Sequence, residues 1–109
     1  MANLLNRIEH RWGRRFRVNI PVRAAVSSSE IDCRLKNLSL SGALMKSEHD
    51  IRLNTLIEII ISLPLLAEGP ATVKAHVTRK LNQGVAIEWC EFAPRAVKEL
   101  LRSPEVHDA

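Results

Sequence analysis

Apolar and polar side chains alternate along much of this chain. An alternation with a period of two is typical of a strand that buries one face. The stretch 56–63 is instead almost continuously apolar and rich in isoleucine, which predicts a buried strand. Turn-forming residues separate these stretches, for example at 27–29 and at 82–84. The pattern predicts six strands: 16–26, 31–37, 43–45, 56–63, 71–80 and 84–91.

A helix is predicted after the last strand, because Pro94 suits a first helical turn and apolar residues then recur at helical spacing. The apolar face of this helix, which we expect to end at Arg102, consists of Ala96, Val97, Leu100 and Leu101.

Short strands leave open edges, and closing the sheet removes them. We therefore predict an all-β fold, a six-stranded antiparallel barrel with a C-terminal α-helix. Pro21 has no N–H to donate, which predicts an edge or a bulge in the first strand.

A chain of 109 residues fits one domain. We expect an arginine-rich N-terminal arm at 1–15, the barrel with its helix at 16–102 and a tail at 103–109. The apolar spacing in 3–12 fits either a short amphipathic helix or a flexible arm, and the fold prediction takes the arm as flexible. No apolar run is long enough for a membrane span, and the N-terminus lacks a signal-peptide pattern, so we expect a cytoplasmic protein. Cys33 and Cys90 form no CxxC motif and are expected to be reduced and buried.

The net charge of +4 is unevenly distributed along the chain. Residues 1–23 contain six arginines and a single acid, whereas residues 24–109 contain ten basic and eleven acidic side chains. None of the basic residues in the first segment is lysine. Arginine is suited to bidentate contacts with phosphate and with the O6/N7 edge of guanine. The segment therefore predicts an anionic ligand, with a solvated basic arm as the alternative.

Two arginines, Arg11 and Arg15, lie on either side of Gly13. A spacing of four would place both guanidinium groups on one side of a helix. Around a glycine hinge they would instead approach a ligand from two directions. In either arrangement each fork can hold a phosphate or a guanine edge.

A second group of candidate residues consists of Asn37, Ser39 and Gly42. The Asn37 amide both donates and accepts hydrogen bonds, and the Ser39 hydroxyl does the same. Gly42 can take a positive φ and lets backbone approach a flat ligand closely. The alternative is a polar turn in which the Asn37 and Ser39 side chains bond to their own backbone.

Together the two groups resemble the PilZ family, whose pattern is Arg-x-x-x-Arg before the first strand and Asp/Asn-x-Ser-x-x-Gly after the second. Here the residues are Arg11 and Arg15, followed by Asn37, Ser39 and Gly42. The alternating strand that runs from Arg15 into a Pro-Val pair, the Gly-Val-Ala-Ile stretch beginning at residue 84 and the terminal helix are also similar to the family. The resemblance extends from residue 11 to about residue 101. It implies a six-stranded barrel with a C-terminal helix that binds the bacterial second messenger cyclic di-GMP.

The resemblance also implies roles for individual residues. Arg11 and Arg15 would hold guanine edges and phosphates, and Arg14 would add a contact. Asn37 and Ser39 would contact a guanine and a nearby phosphate, while the motif's glycine keeps the loop tight. Many members of the family carry Asp at the position of Asn37. The amide loses the charge that pairs with guanine N1–H and N2–H₂, so weaker binding is expected.

We therefore expect a stand-alone cyclic di-GMP receptor, a monomer or homodimer, that relays the signal to a partner protein by ordering its N-terminal arm. No catalytic motif stands out, so we expect no enzyme activity and no cofactor. The histidines are scattered without metal-ligand spacing, and no metal is expected. One alternative is a PilZ-fold adaptor that acts through protein contacts without a nucleotide. A single-stranded nucleic-acid binder is the other, although the scarcity of aromatic residues argues against it.

Overall fold

The computed structural model describes residues 14–62 and 69–103. Six strands and one helix account for most of them. The elements are β1 (Phe16–Val26), β2 (Ser29–Leu38), β3 (Gly42–Ser47), β4 (Leu56–Ile61), β5 (Ala71–Leu81), β6 (Gly84–Trp89) and α1 (Arg95–Arg102).

The strands form a closed antiparallel barrel in the order β1-β2-β3-β6-β5-β4. Two-residue turns at 27–28 and 82–83 join β1 to β2 and β5 to β6. The seam between β1 and β4 is the shortest pairing and aligns only three residues of each strand, Arg23–Ala25 with 58–60. The predicted six-stranded antiparallel barrel with a C-terminal helix is confirmed.

Alternate residues of every strand point into the barrel, where they form one continuous apolar core. Leu35, Leu38, Ile59 and Ile61 are completely buried in it, and Met45 is nearly so. The polar members of the alternation lie outside. Because the period is two, a slip of one residue in any strand would turn its apolar set to solvent, so burial determines the register.

The strand boundaries differ from the predicted ones mainly around the second motif. Strand β2 continues through Asn37 to Leu38, and β3 already begins at Gly42. Backbone pairing therefore extends further than the polar sequence indicated, and only residues 39–41 remain as a loop. Such pairing is a tertiary effect that the local composition of a polar segment does not reveal.

Pro21 occupies a position where its missing N–H is tolerated. It pairs with Arg34 on β2, and it lies outside the short stretch of β1 that pairs with β4. The predicted irregularity in β1 is present, but the register shift lies between Arg17 and Ile20.

One expectation about the cysteines is wrong. Cys33 is buried in the core, and this burial raises the pKa of its thiol. Cys90 is exposed, because it follows the last residue of β6 at the end of the barrel. Both cysteines are free thiols, as expected.

Helix α1 begins after Pro94, whose carbonyl accepts the backbone N–H of Lys98 at 3.0 Å. Its buried face consists of Ala96, Val97 and Leu100 and joins the same core as the strands. None of the helices in the described part of the chain is long and apolar enough to cross a membrane.

Replacing Leu100 with Ala tests whether the helix is part of the core. Leu100 has no exposed surface, so L100A should lower the free energy of unfolding by about 2–5 kcal/mol through lost burial and the cavity left behind. Urea unfolding followed by circular dichroism measures this. K98A is the control on the exposed face of the same helix, and it should change the stability by less than about 0.5 kcal/mol. Equal effects of the two variants would contradict the packing of Leu100 in the core.

Candidate functional site

Pairing between β1 and β2 brings the two sequence motifs together. The first residue of β1, Phe16, pairs with Leu38, and Arg17 pairs with Asn37. Arg15, immediately before the strand, is therefore beside the end of β2. Its Nη1 donates a hydrogen bond to Asn37 Oδ1 at 2.9 Å, and this bond joins residues that are 22 positions apart.

The Asn37 side chain is held from a second side by β3. Its Oδ1 also accepts the backbone N–H of Leu44 at 2.9 Å. The register between β2 and β3 shifts between Leu35 and Asn37, and the Asn37 side chain takes this backbone donor at the shift. Asn37 is half-buried, whereas Arg15 is exposed.

Ser39 is completely buried, and its hydroxyl is engaged within its own loop. Ser39 Oγ donates to the Gly42 carbonyl at 3.1 Å and accepts the backbone N–H groups of Ser41 and Gly42, at 3.3 and 3.1 Å. A hydroxyl has one proton and two lone pairs, so these three bonds use its full capacity. The Ser41 hydroxyl lies 3.1 Å away and completes the network.

Three further bonds fasten the loop to the end of β6 and to the segment before α1. The Trp89 indole Nε1 donates to the Ser39 carbonyl at 3.1 Å, and the Trp89 backbone N–H donates to Ser41 at 2.9 Å. The backbone N–H of Ala93 donates to Leu40 at 3.1 Å. Sequence reasoning missed Trp89 as part of the site, because nothing in its local pattern indicates a partner fifty residues away.

Gly42 is required by close packing between strands. A methyl group on its Cα would overlap the carbonyl oxygen of Ile87 on β6, which is backbone and cannot move aside. Gly69 is the only glycine with a positive φ among the described residues, so Gly42 does not use the left-handed region. The expected tightness of the loop therefore comes from the absence of a side chain.

The arginines of the first motif are only partly within the described residues. Arg14 is exposed, and its guanidinium lies over the ring of Phe16, 5.1 Å from the centroid, in a cation–π contact. Arg15 is placed against Asn37. Arg11 and the predicted hinge at Gly13 lie outside the described residues.

More positive charge borders this site than the sequence segment 1–23 indicated. Arg34 of β2 and Lys46 of β3 pair directly across the ladder, and Lys36 follows Arg34 on the same outer face. Arg34 and Lys36 both donate to Asn19 Oδ1, at 3.3 and 3.1 Å. None of these three cations has an ion pair with another described residue. Arg34, Lys36 and Lys46 therefore form a positively charged patch on β2 and β3, whereas Glu30 and Asp32 further along β2 are paired with Arg23.

Comparison with known proteins identifies the family of this fold. The model of the PilZ domain family matches residues 6–103. The chain belongs to the PilZ domain family. Among solved structures, it is similar to the crystal structure of the PilZ domain of CeSA from a cellulose-synthesising bacterium, with a TM-score of 0.62 and 20% identity over 82% of this chain and 92% of the other. A search of curated proteins found no match.

PilZ domains are binding domains, and the family is one of cyclic di-GMP receptors, so membership supports a role in cyclic di-GMP signalling. In this PilZ domain, the exposed Arg15 contacts the half-buried Asn37, and Ser39 and Gly42 are buried. Within residues 14–62 and 69–103, no three His, Cys, Asp or Glu side chains are placed to hold a metal ion.

Replacing Ser39 with Ala tests whether this hydroxyl holds the loop. The variant leaves the N–H of Gly42 buried without its side-chain partner, so S39A should lower the free energy of unfolding by about 2 kcal/mol. S41A removes a hydroxyl of the same size from a half-buried position and should cost less than about 1 kcal/mol. Urea unfolding of both variants gives the comparison. An S39A variant no less stable than S41A would rule out the proposed role of the Ser39 hydroxyl.

Proposed function

We propose that this PilZ domain is a receptor for cyclic di-GMP, which it binds through Arg11, Arg14 and Arg15 together with the loop that follows β2. The observation that carries the proposal is the 2.9 Å hydrogen bond between Arg15 and Asn37. It joins the arginine motif to the Asn-x-Ser-x-x-Gly motif. A ligand that contacts both motifs would therefore meet a site already partly assembled.

The chemistry of the ligand is complementary to these side chains. Cyclic di-GMP has two anionic phosphates and two guanines, and guanidinium groups bind both parts through paired hydrogen bonds. The exposed Arg14 and Arg15 are available at the surface, and Arg34, Lys36 and Lys46 add positive potential beside them. Such a field raises the rate at which an anionic ligand reaches the site.

The residues of the second motif have different roles in this proposal. We propose that Asn37 contacts the nucleotide, and that Ser39 and Gly42 act chiefly by holding the loop in shape. This assignment rests on the burial of Ser39, the saturation of its hydroxyl and the close approach of Gly42 to β6. A rigid loop loses little conformational freedom on binding.

Ligand binding would also act on the segment before β1. We propose that Arg11 closes over the nucleotide and that residues 1–15 then become ordered against the barrel, which creates a new surface for a partner protein.

The free thiols Cys33 and Cys90 are consistent with a reducing cytoplasm as the place of action.

Exposed apolar side chains keep the adaptor hypothesis as a second candidate. Leu56 is 71% exposed at the start of β4, and Leu53 is 50% exposed just before it. Apolar surface of this kind fits contact with another protein. Both a nucleotide-free adaptor and a ligand-dependent receptor could use this surface to contact a partner. Nucleotide binding is therefore the property that distinguishes the two functions.

One prediction of the receptor function concerns Arg15. Titration calorimetry of the pure protein with cyclic di-GMP should give saturable heat, and R15A should weaken binding by about 2 kcal/mol, or roughly 30-fold, because a charged hydrogen bond is lost. R52A removes an exposed arginine outside both motifs and should bind as the wild type does. A folded wild type that gives no heat at high micromolar ligand would leave the adaptor as the better hypothesis.

A second prediction concerns the N-terminal segment. Hydrogen exchange of residues 1–15 should slow when cyclic di-GMP is added, because ordered backbone amides are protected from solvent. Exchange in β5, which lies away from both motifs, serves as the internal control and should change little. Equal exchange of residues 1–15 with and without saturating ligand would refute the proposed ordering.

A further inference from the structure

The hydrogen bonds around Asn37 determine which way its amide group faces. A side-chain amide has an oxygen that accepts and a nitrogen that donates, and only its partners establish which is which. Here both neighbours are donors: the Leu44 backbone N–H and the Arg15 guanidinium. Neither can accept a hydrogen bond, so the atom between them is the oxygen. The orientation of the amide is thus unambiguous.

The oxygen of Asn37 has little capacity left. Its two lone pairs are taken by Leu44 and Arg15, each at 2.9 Å. The Leu44 donor is backbone of β3, which pairs with both β2 and β6, so this bond does not depend on the position of the Arg15 side chain. Oδ1 therefore stays directed at β3.

The nitrogen of Asn37 is the group left for a ligand. No described residue accepts a hydrogen bond from Nδ2. Every buried side-chain nitrogen or oxygen in the described part of the chain has a partner, so Nδ2, which has none, is accessible to solvent. It carries two N–H donors and no acceptor.

We propose that Asn37 acts on the bound nucleotide as a hydrogen-bond donor, to an acceptor such as a phosphate oxygen or the O6/N7 edge of guanine, and does not accept from guanine N2–H₂. This inference rests on the proposed function. It reverses the expectation from sequence, in which the amide was a weakened form of an aspartate acceptor. The asparagine instead selects a different edge of the ligand, and the adjacent positive side chains favour an anionic acceptor there.

Replacing Asn37 with Asp separates the two polarities. N37D keeps an oxygen for Leu44 and Arg15 but turns the outward donor into a negatively charged acceptor. By the proposal, calorimetry should show affinity for cyclic di-GMP reduced by about tenfold or more. An acceptor role would instead make N37D bind as tightly as the wild type or more tightly, and that result would overturn the proposal.

A matched control accounts for the added charge. Asn82 is exposed in the turn between β5 and β6, outside both motifs and away from Arg34 and Lys36. N82D therefore makes the same change of charge without touching the side chains proposed to attract the ligand, and it should alter the affinity by less than about threefold. If N82D weakened binding as much as N37D does, the loss would be general repulsion, and the proposal would fail.

A ligand analogue identifies the contact without adding charge. Cyclic di-inosine monophosphate lacks the guanine N2 amino group and keeps O6, N7 and both phosphates. N37A should weaken the binding of both nucleotides by the same factor, within about twofold, because independent changes add. A loss confined to cyclic di-GMP would show that Asn37 accepts from N2 and would overturn the proposal. Thermal unfolding of N37A and N37D confirms that each variant is folded.

The outcomes also separate this inference from the proposed function. A folded wild type that binds neither nucleotide would refute the receptor function and this inference together. Wild-type binding with an N37D variant of equal or higher affinity would refute the inference alone. Reduced affinity of N37D, with N82D unaffected and equal losses for both nucleotides in N37A, would support both.

Discussion

The site depends on the pairing of the start of β1 with the end of β2. Phe16 lies opposite Leu38 and Arg17 opposite Asn37, so the chain just before β1 passes the last residues of β2. The buried faces of both strands hold this register, because a slip by one residue would expose the core residues Val18 and Leu38. Barrel packing thereby determines that Arg15 meets Asn37. The two motifs meet because burial of the core holds the strands in this register, and no attraction between Arg15 and Asn37 is needed to bring them together.

The Asn-x-Ser-x-x-Gly motif combines two physical tasks. Ser39 and Gly42 face inward, where the hydroxyl replaces missing backbone partners and the glycine leaves space for the Ile87 carbonyl. Asn37 lies at the surface with its oxygen bound and its nitrogen free of described partners. Trp89 supports the arrangement from β6 through its indole N–H. The bonded strands beneath this loop hold it in position.

The same loop connects the site to the end of the barrel. Leu40 accepts the N–H of Ala93, two residues before α1, and Ser41 accepts the N–H of Trp89. The helix in turn packs Val97 and Leu100 into the core. Residues 39–41 are therefore bonded to two parts of the chain that are distant in sequence, which limits the movement available to the loop. The exposed Arg15 side chain is less constrained than this backbone.

The sequence by itself determined the fold class and the chemistry of the candidate residues. The period-two alternation, the apolar stretch 56–63 and the helical spacing after Pro94 specify six strands and a helix, because burial of one face leaves a pattern in the residues themselves. The arginines and Asn37 were identifiable as candidate residues because hydrogen-bonding capacity and charge are properties of the residue type itself.

Only the tertiary structure decided how those residues face. The orientation of the Asn37 amide depends on the backbone of Leu44, the hydrogen bond to the Ser39 carbonyl depends on Trp89, and the need for glycine at residue 42 depends on β6. Each partner lies on another strand and leaves no mark in the local pattern. Hydrogen-bond direction and close approach are properties of pairs of groups, so they are decided only when the barrel closes.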